Sequence, residues 1–368
     1  MAPVPSKERH LMIPIFEAYP QMAEKCPYLP LAELPTPVQS LSLLGEALGI
    51  NLFIKRDDLA SSRYGGNKVR KLEFILAEAQ RRGVQTIITF GRAGTNHGVA
   101  TAVFATPLNI HTICLVLPQP NTAIVRQNLL LMLAHGAELH QFRSKNRLVV
   151  GAVWQAGKRT AVDHRPPLIL EAGGSTPLGT LGYVNAAFEL RQQIAAGECP
   201  EPDLIYVAAG TLGTAVGLML GCHLAGLKSR IVPVRVVETE YASPHLMARL
   251  FHKTHRVIHS FAPVIHNFHR FEEKFDLREG FFGGGYGVYT QGGETAVQQM
   301  QQLEGIPLEG TYTGKTLAAL IADAHSGQLA GKTVLFWNTY NSRPLADQIA
   351  HADYHHLPPA FHPYFATS

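Results

Sequence analysis

The chain has 368 residues, a length that accommodates two domains. Hydrophobic residues make up 46% and charged residues only 16%, against about 25% in an average protein, so a large core is expected, with room for an oligomer interface. The net charge of +4 without a dense Lys/Arg block argues against nucleic acid as a partner, and no apolar run reaches the roughly 18 residues needed to span a membrane.

The first twenty residues carry Lys7, Glu8, Arg9 and Glu17 among prolines and show no signal-peptide core. Cys26, Cys114, Cys199 and Cys222 are scattered and form no CxxC pair. Cys114 and Cys222 lie in apolar stretches and read as buried thiols, which suits a reducing cytoplasm. Strands are predicted at 85–90, 110–117, 168–171, 203–208, 230–237 and 333–337. Helices are predicted at 67–82, 96–106, 123–135, 178–195, 213–225, 293–304 and 314–323. Continuous apolar strands alternating with helices indicate an α/β protein whose parallel sheet is covered on both faces. The stretch 243–290 breaks the alternation and is read as an irregular excursion. It holds His245, His252, His255, His259, His266 and His269, then three glycines from Gly283. His255 and His259 would share a face if helical, but no Cys/Asp/Glu pattern accompanies them, so no metal is expected. The proline- and histidine-rich tail after 340 shows no periodicity.

Four segments can carry chemistry. A strand-like run, Leu52 to Lys55, leads through a polar turn to Tyr64-Gly65-Gly66-Asn67-Lys68, where a helix begins with Val69, Leu72, Ile75, Leu76 and Ala79 on one face. Pockets form at such strand-to-helix junctions in α/β proteins. A lysine held there can be desolvated, lose its proton and condense with a carbonyl cofactor. Taken alone, Lys68 reads better as a solvated lysine in a basic first turn. Next, Gly91-Arg92-Ala93-Gly94-Thr95-Asn96-His97 follows a strand and opens a helix. Thr95 or Asn96 can cap it, and free backbone N–H groups there can hold a carboxylate. The loop Gly210-Thr211-Leu212-Gly213-Thr214 has the same setting, with glycines that admit a phosphate and a helix start that attracts it. A nucleotide is the alternative ligand, although the G-x-G-x-x-G spacing is not met. Finally, Thr311-Tyr312-Thr313-Gly314-Lys315 enters a helix that Thr313 can cap.

Leu34-Pro35-Thr36-Pro37, Lys55-Arg56-Asp57-Asp58-Leu59 and Gly65-Gly66-Asn67-Lys68-Val69-Arg70-Lys71-Leu72-Glu73-Phe74 occur in order at close spacing. Together they resemble the pyridoxal-phosphate (PLP) enzymes of the aminocyclopropane-carboxylate deaminase and D-cysteine desulfhydrase family, within the tryptophan-synthase-β-like group of fold type II. The resemblance covers roughly residues 30–340. It implies two open, mostly parallel twisted sheets flanked by helices, with PLP in the cleft between them. The larger domain would comprise 1–71 and 168–368, and the smaller one 72–167. Family members are commonly homodimers.

The resemblance also assigns roles. Lys68 would hold PLP and remove the α-proton. Asn67, Asn96, Gly210, Thr211, Leu212, Gly213, Thr214 and Thr313 would bind the cofactor, with Asn96 at its phenolic oxygen and Thr313 facing its ring nitrogen. Thr95, Asn96, His97 and Tyr286 would bind a small amino-acid substrate. Thr95, Tyr286 and Tyr312 would join Lys68 in catalysis. The cyclopropane deaminases carry a glutamate where this chain has Thr313, and a hydroxyl there favours a neutral ring and a weaker electron sink. That favours α,β-elimination of the D-cysteine desulfhydrase type, giving a 2-oxo acid, ammonia and sulfide. Cyclopropane deamination, β-replacement, racemisation and a silent PLP-binding protein are the alternatives. The chain departs from the family's Gly-Gly-Ile-Gln-Ser-Asn pattern at Arg92, Ala93, Gly94 and Thr95, and from its His-Thr-Gly-Gly pattern at Asn338, Tyr340 and Asn341.

Overall fold

The computed structural model describes residues 12–265 and 275–366. In chain order they form α1 (Pro14–Ala18), α2 (Pro20–Ala23), β1 (Val38–Ser40), α3 (Ser42–Leu48), β2 (Asn51–Lys55), α4 (Asn67–Arg81), β3 (Thr86–Arg92), α5 (Asn96–Ala105), β4 (His111–Leu117), α6 (Ala123–Ala134), β5 (Glu138–Gln141), α7 (Lys145–Asp163), β6 (Leu168–Leu170), α8 (Pro177–Ala195), β7 (Leu204–Ala209), α9 (Gly213–Ala225), β8 (Arg230–Arg235), α10 (Pro244–Phe261), α11 (Gln291–Glu304), α12 (Thr313–His325), β9 (Thr333–Trp337) and α13 (Ala346–Ile349). None of these helices is long and apolar enough to cross a membrane.

Two sheets organise the chain. One runs β1-β2-β9-β7-β8 and is parallel except for β1, and the other runs β5-β4-β3-β6 and is parallel throughout. The burial of β4, continuous from Thr112 to Val116, is that of a strand covered on both faces. Separate hydrophobic clusters pack on the two sheets, one centred on α8, α9 and β7 and another on α4, α5, β4 and α6.

Taking each sheet as a domain core moves two segments from the expected division. Leu168–Leu170 pairs with β3 and so closes the smaller sheet. Leu345, Leu357, Phe361 and Tyr364 are buried in the cluster of that sheet, so the C-terminal tail covers the smaller core. The expected irregular excursion also needs correction, because α10 fills its first part. Ser243 caps that helix by accepting the Leu246 N–H, Pro244 occupies its first turn, and Met247, Phe251, Thr254, His255 and Ile258 are buried at helical spacing. The histidines masked that periodicity. His255 and His259 do stack, with ring centroids 6.3 Å apart, while His266 and His269 lie outside the described residues. Among the described residues no group of three or more His, Cys, Asp and Glu could hold a metal ion. The 19-residue α7 was not predicted either; Val149, Val150, Val153 and Trp154 stand exposed on it, against the usual helical pattern. Cys26, Cys114, Cys199 and Cys222 are all buried.

Beneath α4 lies a buried ionic network. Arg70 donates to both Asp57 and Glu189, and Lys55 Nζ donates to Glu189 at 2.6 Å, to Thr36 O and to Gln193. Tyr183 and Trp337 donate to the same Asp57 carboxylate. Two cations and two carboxylates thus neutralise one another, tying β2, α4, α8 and β9 together. Charges buried without partners would be costly here.

Candidate active site

The β2-to-α4 turn is shaped by its glycines. A side chain at Gly65 would collide with the Asp58 carbonyl at 2.0 Å. Gly66 has φ +85° and would meet the carbonyls of Thr339 and Tyr340 at 2.9 Å. The turn therefore threads between two backbone segments and delivers Lys68 to the first turn of α4. Its Nζ donates to Asn67 Oδ1 at 2.9 Å, and Asn67 Nδ2 donates to Thr214 Oγ1 at 3.0 Å. Burial pulls the Lys68 amine down to about 8, opposed by the nearby Glu309 carboxylate.

A cavity of about 360 Å³, of ordinary ligand-site size, brings the predicted residues together. Asn67, Lys68, Thr95, Asn96, His97, Gly210, Thr211, Leu212, Thr214, Tyr286 and Tyr312 all line it. Thr95 caps α5 by accepting the Gly98 N–H. The Asn96 side-chain oxygen accepts from Asn128 Nδ2 at 2.8 Å. Tyr286 and Tyr312 place their hydroxyls 2.5 Å apart, and burial raises both phenols. Gly213 and Thr313 are not among the lining residues. Gly213 sits immediately behind the loop, where a Cβ would lie 2.7 Å from Ser175 Oγ and 3.0 Å from Lys71 Nζ. Thr313 is buried, and its hydroxyl accepts the Glu309 N–H and donates back to Glu309.

Three contributors escaped the sequence reading. Lys71 Nζ donates to Gly173 O and Ser175 Oγ, each at 3.1 Å, beside the start of α9. Burial, then the neighbouring Lys68, pushes its amine well below the ordinary lysine range. Ser175 also accepts the Gly213 N–H and bonds Thr211 Oγ1 at 2.7 Å. Glu309 lines the cavity while accepting the Thr311, Tyr312 and Thr313 N–H groups. Spacing could have flagged Lys71, one turn after Lys68 on the same helix face. Ser175 closes the run Glu171-Ala172-Gly173-Gly174-Ser175, which resembles the family near the cofactor without marking a ligand, and Glu309 gave no such signal.

These groups fit PLP on structural grounds. The Lys71 amine, the Thr211 and Ser175 hydroxyls and the α9 N–H groups converge with no anionic partner among the described residues, as a phosphate site requires. Leu212 adopts φ +69° there, a left-handed conformation uncommon for a bulky residue, which its burial in the core holds in place. Neither ring nitrogen of buried His97 has a hydrogen-bond partner among the described residues, and burial followed by Lys68 and Lys71 holds the imidazole well below its usual range. It therefore offers the site one neutral donor and one acceptor.

With that geometry, comparison with known proteins is unambiguous at the family level. The chain belongs to the pyridoxal-phosphate dependent enzyme family, whose sequence pattern matches residues 29–339, and PLP is its cofactor. It is 32% identical over 308 residues to a D-cysteine desulfhydrase of Klebsiella pneumoniae (strain 342), covering 82% of this chain and 89% of that protein. It is 29% identical over 319 residues to a putative 1-aminocyclopropane-1-carboxylate deaminase of Pyrococcus abyssi (strain GE5 / Orsay), covering 86% and 92%. Among solved structures, an ACC deaminase homologue superposes with TM-score 0.75 at 28% identity, over 92% of this chain and 99% of that one. A threonine deaminase from Solanum lycopersicum, 13% identical with TM-score 0.61, covers 95% and 90% and shares the fold.

Proposed function

We propose that this chain is a carbon–sulfur lyase of the D-cysteine desulfhydrase type. It would convert a small β-substituted amino acid and water into a 2-oxo acid, ammonia and a thiol or sulfide. The observation that carries this reading is the pairing of a low-pKa amine with a buried diphenol in one cavity. Burial favours the neutral form of the Lys68 amine, which can take a proton from the substrate α-carbon. Tyr286 and Tyr312 stay protonated, so either hydroxyl can give a proton to a departing thiolate. Thr95 Oγ1 accepts from Gly98 and keeps its own proton to donate. The α5 start, with Asn96 and His97, receives the substrate carboxylate. Bound PLP supplies the electron sink for the pair of electrons left by the α-proton.

One observation favours cyclopropane deamination as a second reading. A carboxylate, Glu309, does line the cavity although position 313 holds threonine. We infer a homodimer from the family and a reducing cytoplasm from the buried thiols. The test is the visible spectrum of the purified protein, followed by pyruvate, ammonia and sulfide assays with D-cysteine, L-cysteine and 1-aminocyclopropane-1-carboxylate. A shifted band with pyruvate and sulfide from cysteine is expected. Ammonia from the cyclopropane acid and no sulfide would select the second reading.

A further inference from the structure

Arg92 ends β3 and lines the same cavity as Lys68, at a position where the family pattern quoted above has glycine. Its guanidinium lies over the Tyr286 ring, 5.5 Å from the centroid. Nη1 donates to Pro118 O at 3.3 Å and Nη2 to Glu238 Oε1 at 3.4 Å, both long contacts. The Arg92–Glu238 pair is about one-third exposed on each side (32% and 31%), so water and ligand can reach it. A guanidinium carries five donors in a planar fork that matches a two-oxygen anion, and this one leaves donors to spare. The other cations of the cavity have separate work: Lys68 is the reactive amine, Lys71 is bound to Gly173 and Ser175, and Lys145 pairs with Glu240 at 2.6 Å at the rim. Phe90, Leu117 and Val237 supply apolar wall between.

We propose that Arg92 is a specificity-determining residue that receives an anionic group on the β-substituent of the substrate, so that the preferred substrates are amino acids whose side chain ends in a carboxylate or similar oxyanion. This rests on the lyase reading above. Glu238 then acts as a resident counter-ion that holds the fork in place and competes with the ligand. For an S-carboxyalkyl cysteine the Cα–H proton passes to Lys68 Nζ. The Cβ–S bond breaks with its electron pair on sulfur, and water completes release of pyruvate, ammonia and the carboxyalkyl thiol.

Two probes isolate the charge: S-carboxymethylcysteine and its near-isosteric amide, S-carbamoylmethylcysteine, each as both enantiomers. With the holoenzyme, the acid should exceed the amide in kcat/KM by at least tenfold. In Arg92→Gly that ratio should fall to about one or below, and in Glu238→Gln it should rise. A ratio near one in the wild type overturns the proposal. So does an equal loss on both probes in Arg92→Gly, which would make Arg92 a reader of the shared α-carboxylate or a strut between the sheets. The same ratio is measured as dissociation constants by calorimetry. An acid preference in binding that depends on Arg92, with no turnover of either probe or of cysteine, would sink the lyase reading and leave the anion subsite standing.

Discussion

Glu309 Oε1 accepts the backbone N–H of Thr313 at 2.9 Å. The residue expected to meet the cofactor ring is thereby tied into a cap whose carboxylate lines the cavity. Glu309 is thus the stronger electrostatic influence on the site, and its charge opposes the fall in the Lys68 pKa. Condensation with PLP needs the neutral amine, so uptake of PLP by cofactor-free protein should quicken with rising pH and level off above about 8. Glu309→Gln removes the opposing charge and should move that midpoint to lower pH, whereas Thr313→Val should leave it in place. Stopped-flow absorbance across pH measures both. A midpoint near 10 in the wild type would contradict the buried-amine account.

Lys68 and Lys71 occupy one helix face but should fail differently. Lys68→Ala should lose the visible band and turnover together. Lys71→Ala should weaken PLP binding by about tenfold to a hundredfold, the worth of one charge-assisted hydrogen bond. Its affinity for pyridoxal, which lacks the phosphate, should change little. Fluorescence titration of the two ligands decides it, and equal losses would place Lys71 elsewhere than at the phosphate.

The ionic network under α4 should be a stability element. Glu189→Ala leaves Lys55 and Arg70 facing only the Asp57 charge in a buried site, at a cost of about 3–5 kcal/mol. Denaturant unfolding at pH 7 reads this directly. A loss below about 1 kcal/mol would mean that water enters and solvates the network.

Glu73 presents the opposite sign. Burial raises its carboxyl to about 7, despite bonds to one oxygen from Tyr28, Leu31 and Ala32, and the other oxygen has no hydrogen-bond partner among the described residues. The folded state therefore holds this proton more tightly than the unfolded chain. Stability from this group is present below about pH 4.5 and is lost as pH rises through about 7. Glu73→Gln should raise Tm at pH 8 and change it less at pH 5. An equal shift at both pH values would show that Glu73 does not titrate in that range.

The sequence by itself determined the alternation of strands and helices, the family and many of the residues that line the cavity, Lys68, Asn96 and Thr211 among them. Those features are local or patterned. Apolar runs mark strands, glycines mark the Gly65-Gly66 and Gly210–Gly213 turns, and order along the chain carries the resemblance. α10 escaped because its histidines obscured an apolar spacing that only packing against the core makes visible. Tertiary structure alone decided the rest. The tail from Leu345 to Tyr364 covers the smaller core, although nothing periodic in it announces a partner. Glu309 enters the cavity in place of Thr313, because a carboxylate reaches back to cap three N–H groups where a hydroxyl is consumed by its own turn. Arg92 meets Glu238 and Tyr286 across 146 and 194 residues of chain, and such contacts follow from how two sheets face each other, which no local pattern encodes.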